Sequence, residues 1–93
     1  MPYPVLGKLT QHVRLVTRMA QAARIDLVAA VKAGTLDQDG WADMVQTCRR
    51  CGWAGQCRGW LDTHHQIVHA PRTCLNRARF EALRIAAREY QVA

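Results

Sequence analysis

Four cysteines stand between positions 48 and 74 of this 93-residue chain, Cys48, Cys51, Cys57 and Cys74, and the sequence has no others. Their spacing, Cys-x2-Cys-x5-Cys-x16-Cys, is a tight trio followed by one distant partner. A chain wraps a single metal centre in this way, with one local loop and one remote anchor. The constraint is strong because a domain of this size buries a modest fraction of its surface, so a metal or covalent staple contributes a large share of its stability.

Compartment chemistry decides between the two kinds of staple. The amino end, Met1-Pro2-Tyr3-Pro4, has no basic region of a secretory signal, and no apolar run reaches the roughly 18 residues of a membrane span. A cytoplasmic protein off the membrane is therefore expected. Thiols are kept reduced there, which favours metal over disulfides. Export by another route would make two disulfides the natural reading.

The charge balance is basic. Thirteen Lys and Arg stand against seven Asp and Glu, a net charge of +6, and apart from Lys8 and Lys32 the basic residues are all arginine. Arginine suits phosphate and carboxylate partners because its planar fork donates hydrogen bonds in pairs. Arg49, Arg50 and Arg58 surround the cysteine trio, and Arg72, Arg77 and Arg79 stand near the fourth cysteine. Around an anionic centre such a ring would stabilise thiolates and offer a docking surface to an acidic protein, with nucleic acid as the other possible partner.

Apolar periodicity predicts an all-α chain of about five short helices forming a single domain, with no segment of period two. A first helix from about Val5 to Arg24 carries Leu6, Leu9, Val13, Val16, Ala20 and Ala23 along one face. Asp26 caps a second, which Gly34 ends in the left-handed conformation. A third opens at Asp37 or Asp39 and runs through Trp41, Met44, Val45 and Cys48 to about Cys51-Gly52. A fourth starts at Gln56, with Cys57 in its first turn, where the helix dipole and free amides favour thiolate. After a loop from His64 to Pro71, Thr73 caps a last helix from Cys74 to Tyr90, with Ala78, Ala82, Leu83, Ala86 and Tyr90 inward.

Four thiolates suit zinc or an iron–sulfur cluster, and residue type alone does not decide between them. Structural zinc sites generally use two Cys-x2-Cys knuckles, whereas this chain has one, and its other gaps fall between helices. The glycine of Cys51-Gly52 resembles half of a zinc knuckle and keeps zinc as the alternative. The trio resembles three of the four ligands in the helical [4Fe–4S] loop of endonuclease III-type DNA glycosylases, and the last gap resembles that of iron–sulfur uracil-DNA glycosylases. Neither resemblance extends beyond the ligands, and no catalytic residues of those enzymes have a counterpart here.

Around the thiols, Trp53 and Trp60 bracket Cys57 and are expected to keep water from the site, Trp53 also being placed to stack on a partner. His64 follows the Cys57 and Trp60 face and can donate to a sulfur. Asn76 can bond a sulfur or a helix end. His12, His65 and His69 read as exposed histidines. With all four ligands cysteine, no position is left for a substrate, and no nucleophile–base pair, phosphate loop or carboxylate pair accompanies the site. The expectation is a small protein without enzymatic activity or small-molecule substrate, which transfers electrons, senses redox state or docks a partner through a [4Fe–4S] cluster. A structural zinc module that binds nucleic acid or protein is the alternative.

Over most of its length the sequence resembles a family of short alphaproteobacterial proteins of unknown function. The resemblance is carried by Met19, Asp26-Leu27, Gly34-Thr35-Leu36, the block from Cys48 to Trp60-Leu61, and Pro71 to Cys74-Leu75-Asn76. It implies a kind of protein without implying an activity.

Overall fold

The computed structural model describes residues 7–92. It comprises five helices, α1 (Leu9–Ala22), α2 (Leu27–Ala33), α3 (Gln38–Arg49), α4 (Ala54–Thr63) and α5 (Arg77–Val92), with no strand among the described residues. Val5, the expected start of the first helix, and Leu6 and the side chain of Tyr90, both expected on inward faces, lie outside what is described.

Two helix boundaries follow directly from capping chemistry. The Asp26 side chain accepts a hydrogen bond from Ala29 N at 2.9 Å and Asp37 from Gly40 N at 2.7 Å, so each satisfies an amide that its helix leaves without a partner. Gly34 closes α2 at φ 82°, a backbone conformation that costs other residues about 1–2 kcal/mol. Open space surrounds the position, so strain alone sets the cost of a substitution. Gly34→Ala is therefore expected to lower stability by about 1 kcal/mol in urea unfolding. An unchanged midpoint would mean that the α2 to α3 turn relaxes freely.

Helix α1 ends differently. Arg24 takes the left-handed position at φ 60°, Arg24 N bonds Gln21 O at 3.1 Å, and Ile25 N bonds Ala20 O at 2.8 Å. These are the two bonds of a Schellman turn. A non-glycine residue is held there while Ile25, 8% exposed, is buried beyond it.

Helix α1 packs against both α3 and α4. Its buried face is consequently wider than the expected single stripe and is rotated from it: His12, Leu15, Val16, Met19, Ala20, Ala22 and Ala23 are buried, while Leu9 is 51% exposed. His12 is thus a core histidine, against the exposed one expected. Its Nδ1 hydrogen-bonds Lys8 O at 2.8 Å, and its ring lies so close to Gly7 that a β-carbon there would overlap it.

Helix α5 also departs from expectation. Phe80 and Leu83 are buried, whereas Ala78 and Ala82 face outward. An aromatic ring removes far more apolar surface from water than a methyl group, so Phe80 sets the rotation of the helix. The core joins Leu15, Val16 and Met19 of α1 to Met44 of α3, Leu61 of α4, and Phe80 and Leu83 of α5.

Candidate functional site

The thiols come from three places on this frame. Cys48 lies in the last turn of α3, Cys51 just beyond its end, Cys57 in the first turn of α4, and Cys74 in the turn before α5. The last placement corrects the expected helix start. Cys74 N bonds Pro71 O, Arg77 N bonds Cys74 O, and the first α-helical bond of α5 runs from Phe80 N to Asn76 O at 2.9 Å. Cys74 therefore sits in a linked turn, and Thr73 is not the cap.

All four cysteines line one recess, whose remaining walls are apolar residues of α1, Trp53 and Ala54, Leu75, Asn76 and Phe80. It measures about 370 Å³ with its open mouth included. The four are free thiols, Cys57 buried and the others half-buried. Among the described residues, no three His, Cys, Asp or Glu side chains form a group that could hold a metal ion. The fold brings cysteines 26 positions apart in sequence, Cys48 and Cys74, to the same recess.

Burial governs their electrostatics. Desolvation, reinforced by the neighbouring thiols, pushes Cys48 up to about 12 and Cys57 to about 11 from an ordinary value of 9.0, and burial raises Cys74 as well. The first-turn position of Cys57 was expected to favour thiolate, but Cys57 N is already bonded to Trp53 O, so this amide is not free for sulfur. The cation that does act on Cys57 is Arg18 of α1, which sequence proximity to the cysteines did not single out. Its guanidinium is held at 2.8 Å from Asp62 of α4.

The sign of the pH dependence follows. A thiol whose pKa rises on folding binds its proton more tightly in the folded state. The stability this contributes is complete below pH 9.0 and is lost as pH rises towards about 11–12. The metal-free protein is expected to show a falling urea midpoint from about pH 8 to pH 10.5, and a Cys48→Ser, Cys57→Ser variant a flatter profile. Parallel profiles for the two proteins would assign the loss to other groups.

Asn76 is the most fully engaged polar neighbour. It is 4% exposed, its Nδ2 donates to Met44 O at 2.9 Å, and its backbone amide partly offsets the rise of the Cys74 thiol. It therefore anchors the Cys74 turn to the middle of α3. Cys51 Sγ reaches Thr73 O at 3.7 Å, a weaker link between the same two segments. Trp53 lines the recess as expected. Trp60 instead stands behind it, edge to face with ring centroids 5.9 Å apart, and stacks on His64 at 4.0 Å. His64 is exposed and its Nδ1 hydrogen-bonds Trp60 O at 2.7 Å, so it serves the end of α4 and does not line the recess. His65 and His69 are exposed, and His69 pairs with Glu81 at 2.6 Å.

The six expected arginines divide into two groups. Arg49 Nε donates to Gly7 O at 2.7 Å, Arg77 Nε to Ala70 O at 2.9 Å, and Arg79 to Gly40 O at 3.0 Å and Asp43 at 2.6 Å. These three are half-buried and tie the fold together. Arg50, Arg58 and Arg72 are exposed beside thiol-bearing segments and remain accessible to a partner.

Among the described residues no helix is long and apolar enough to cross a membrane. No curated protein and no solved structure matches the chain. A family of unknown function, DUF6455, matches residues 3–86, in keeping with the expected family of unknown function, and the protein belongs to that family.

Proposed function

We propose that this is a small helical iron–sulfur protein whose Cys48, Cys51, Cys57 and Cys74 hold a [4Fe–4S] cluster. The observation that carries the reading is that the chain's entire complement of cysteines, all free, lines a single apolar recess. Soft thiolates select iron–sulfur clusters or zinc. A lone zinc requires sulfurs at about 2.3 Å from one point. The sequence has one Cys-x2-Cys pair where structural zinc sites generally use two, and this favours the cluster over zinc.

When bound, the cluster supplies one-electron redox chemistry and a counter-charge for the four thiolates. The chain's residues do the rest. Leu15, Val16, Met19, Trp53 and Phe80 exclude water, and low solvent access tunes potential. Asn76 positions Cys74, and its backbone amide favours the thiolate of that residue. With four cysteine ligands no site is left for a substrate, so the role is electron transfer, redox sensing or docking in a reducing, cytoplasmic setting. Arg50, Arg58 and Arg72 provide the contact for an acidic protein partner.

Anaerobic purification followed by iron, sulfide and zinc analysis tests the reading. The expected result is a brown protein with about four iron and four sulfide per chain. A colourless protein carrying one zinc and no sulfide, after anaerobic handling and attempted cluster reconstitution, would replace the cluster by the structural zinc alternative.

A further inference from the structure

A second concave region shares no lining residue with the cysteine recess. It lies between α2 and α5 and measures about 1050 Å³ with its open side included. Ala29, Ala30 and Ala33 of α2 face Leu83, Ala86 and Ala87 of α5 across it. Past Thr35, Leu83 and Ala86 it continues into a second depression that reaches Leu36 and Arg79. Arg79 and Arg88 are nine residues apart on α5, about 13 Å at the helical rise, enough for two to three turns of a docked helix.

Two independent features indicate that something covers this groove. Helix α2 reads Leu-Val-Ala-Ala-Val-Lys-Ala, apolar except for Lys32, yet none of its residues is buried. Apolar helix surface is ordinarily covered, and here Ala29 on the groove wall is exposed and Ala30 and Ala33 are half-buried, while Val28 and Val31, which do not line the groove, are 65% and 55% exposed. The rim is also one-sided in charge. Arg24, Arg84 and Arg88 line the groove against Asp26, and Arg79 lines its continuation against Asp37; these two carboxylates already accept the amides of Ala29 and Gly40. Arg24 donates to the neutral Gln66 at 2.8 Å. Arg84 donates to Val68 O, while its Nε lacks a hydrogen-bond partner and lies 3.6 Å from Glu81.

We propose that the groove between α2 and α5 is a docking site for an amphipathic helix of a partner protein, whose apolar face is edged with carboxylates. Helix-in-groove recognition needs an apolar floor for anchors at i, i+3, i+4 and i+7 and a rim of complementary charge, and both are present. A second copy of the chain is a poor occupant. A self-complementary interface would set Arg24, Arg84 and Arg88 near their own counterparts, in a protein already at +6. The site does not depend on the cluster, so each reading can fail alone.

The test pans the full chain at about 150 mM salt against displayed helical peptides randomised over Leu, Ala, Gln, Asp, Glu, Lys and Arg. Selected sequences are expected to carry Leu or Ala at helical spacing flanked by Asp and Glu. A synthesised selected peptide should perturb amide resonances of α2 and α5 and spare those of Cys48 and Cys57. Its binding should weaken about tenfold in Arg88→Glu and be lost in Ala87→Trp, both exposed positions, with helicity by circular dichroism unchanged. No enrichment, enrichment of basic or neutral sequences, or binding indifferent to both variants would overturn the proposal. Displacement of the peptide by a short DNA duplex, abolished in Arg88→Glu, would assign the groove to nucleic acid and overturn it equally.

Discussion

After anaerobic reconstitution, Cys74→Ser protein is expected to retain no stable cluster and to melt at the temperature of the metal-free wild type. Three thiolates remain in that variant, but the remote anchor is gone, and with it the link between the trio and the segment leading into α5. A ligand that binds only the folded state stabilises by about 4 kcal/mol when present at a thousand times its dissociation constant. In a domain of this size each kcal/mol moves the melting temperature by about 4–8 °C. The loaded wild type should therefore melt at least about 15 °C above both the variant and its own metal-free form. Helicity at room temperature should persist in the variant, because Asn76, Phe80 and Leu83 hold α5 independently of the sulfur. Equal melting temperatures for reconstituted and metal-free wild type would remove the site from the stability of the fold.

Phe80→Ala carries the other large effect. Phe80 is 1% exposed, sits in the core with Met19 and Met44, and also lines the cysteine recess. Truncating a buried phenylalanine costs about 3–5 kcal/mol. Against a total stability of about 5–15 kcal/mol, this brings the metal-free chain close to unfolding. Urea denaturation should show the loss, with Ile85→Ala, at a position 53% exposed, changing stability by less than about 0.5 kcal/mol. A Phe80→Ala loss below about 1 kcal/mol would contradict the packing described here.

Legibility in the sequence tracks how local the responsible interaction is. Asp26, Gly34 and Asp37 act on amides and dihedrals within a few residues, and their elements stand where capping chemistry puts them. The cysteines were readable as one group because spacing and residue type alone advertise them, and they do line one recess. The rotation of α5 was not readable from its alanines, since several faces of that helix carry methyl groups and only packing against α1 and α3 selects the one with Phe80. The arginines misled for another reason. Arg49, Arg77 and Arg79 bond the backbone carbonyls of Gly7, Ala70 and Gly40, and no residue type signals a carbonyl acceptor brought near by the fold. Arg18 was missed for the converse reason: its thiol neighbour is far along the chain, and its position on α1 three residues after the recess-lining Leu15 was the available clue.

The bond from Asn76 to Met44 O bears on the order of events in the cell. Zinc fingers acquire their shape from the metal. Here a buried amide holds the Cys74 turn against α3 using protein atoms alone. On the iron–sulfur reading, this amide would keep the remote Cys74 ligand beside α3 with no help from the metal, so the long gap before the fourth cysteine need not be closed by the cluster itself.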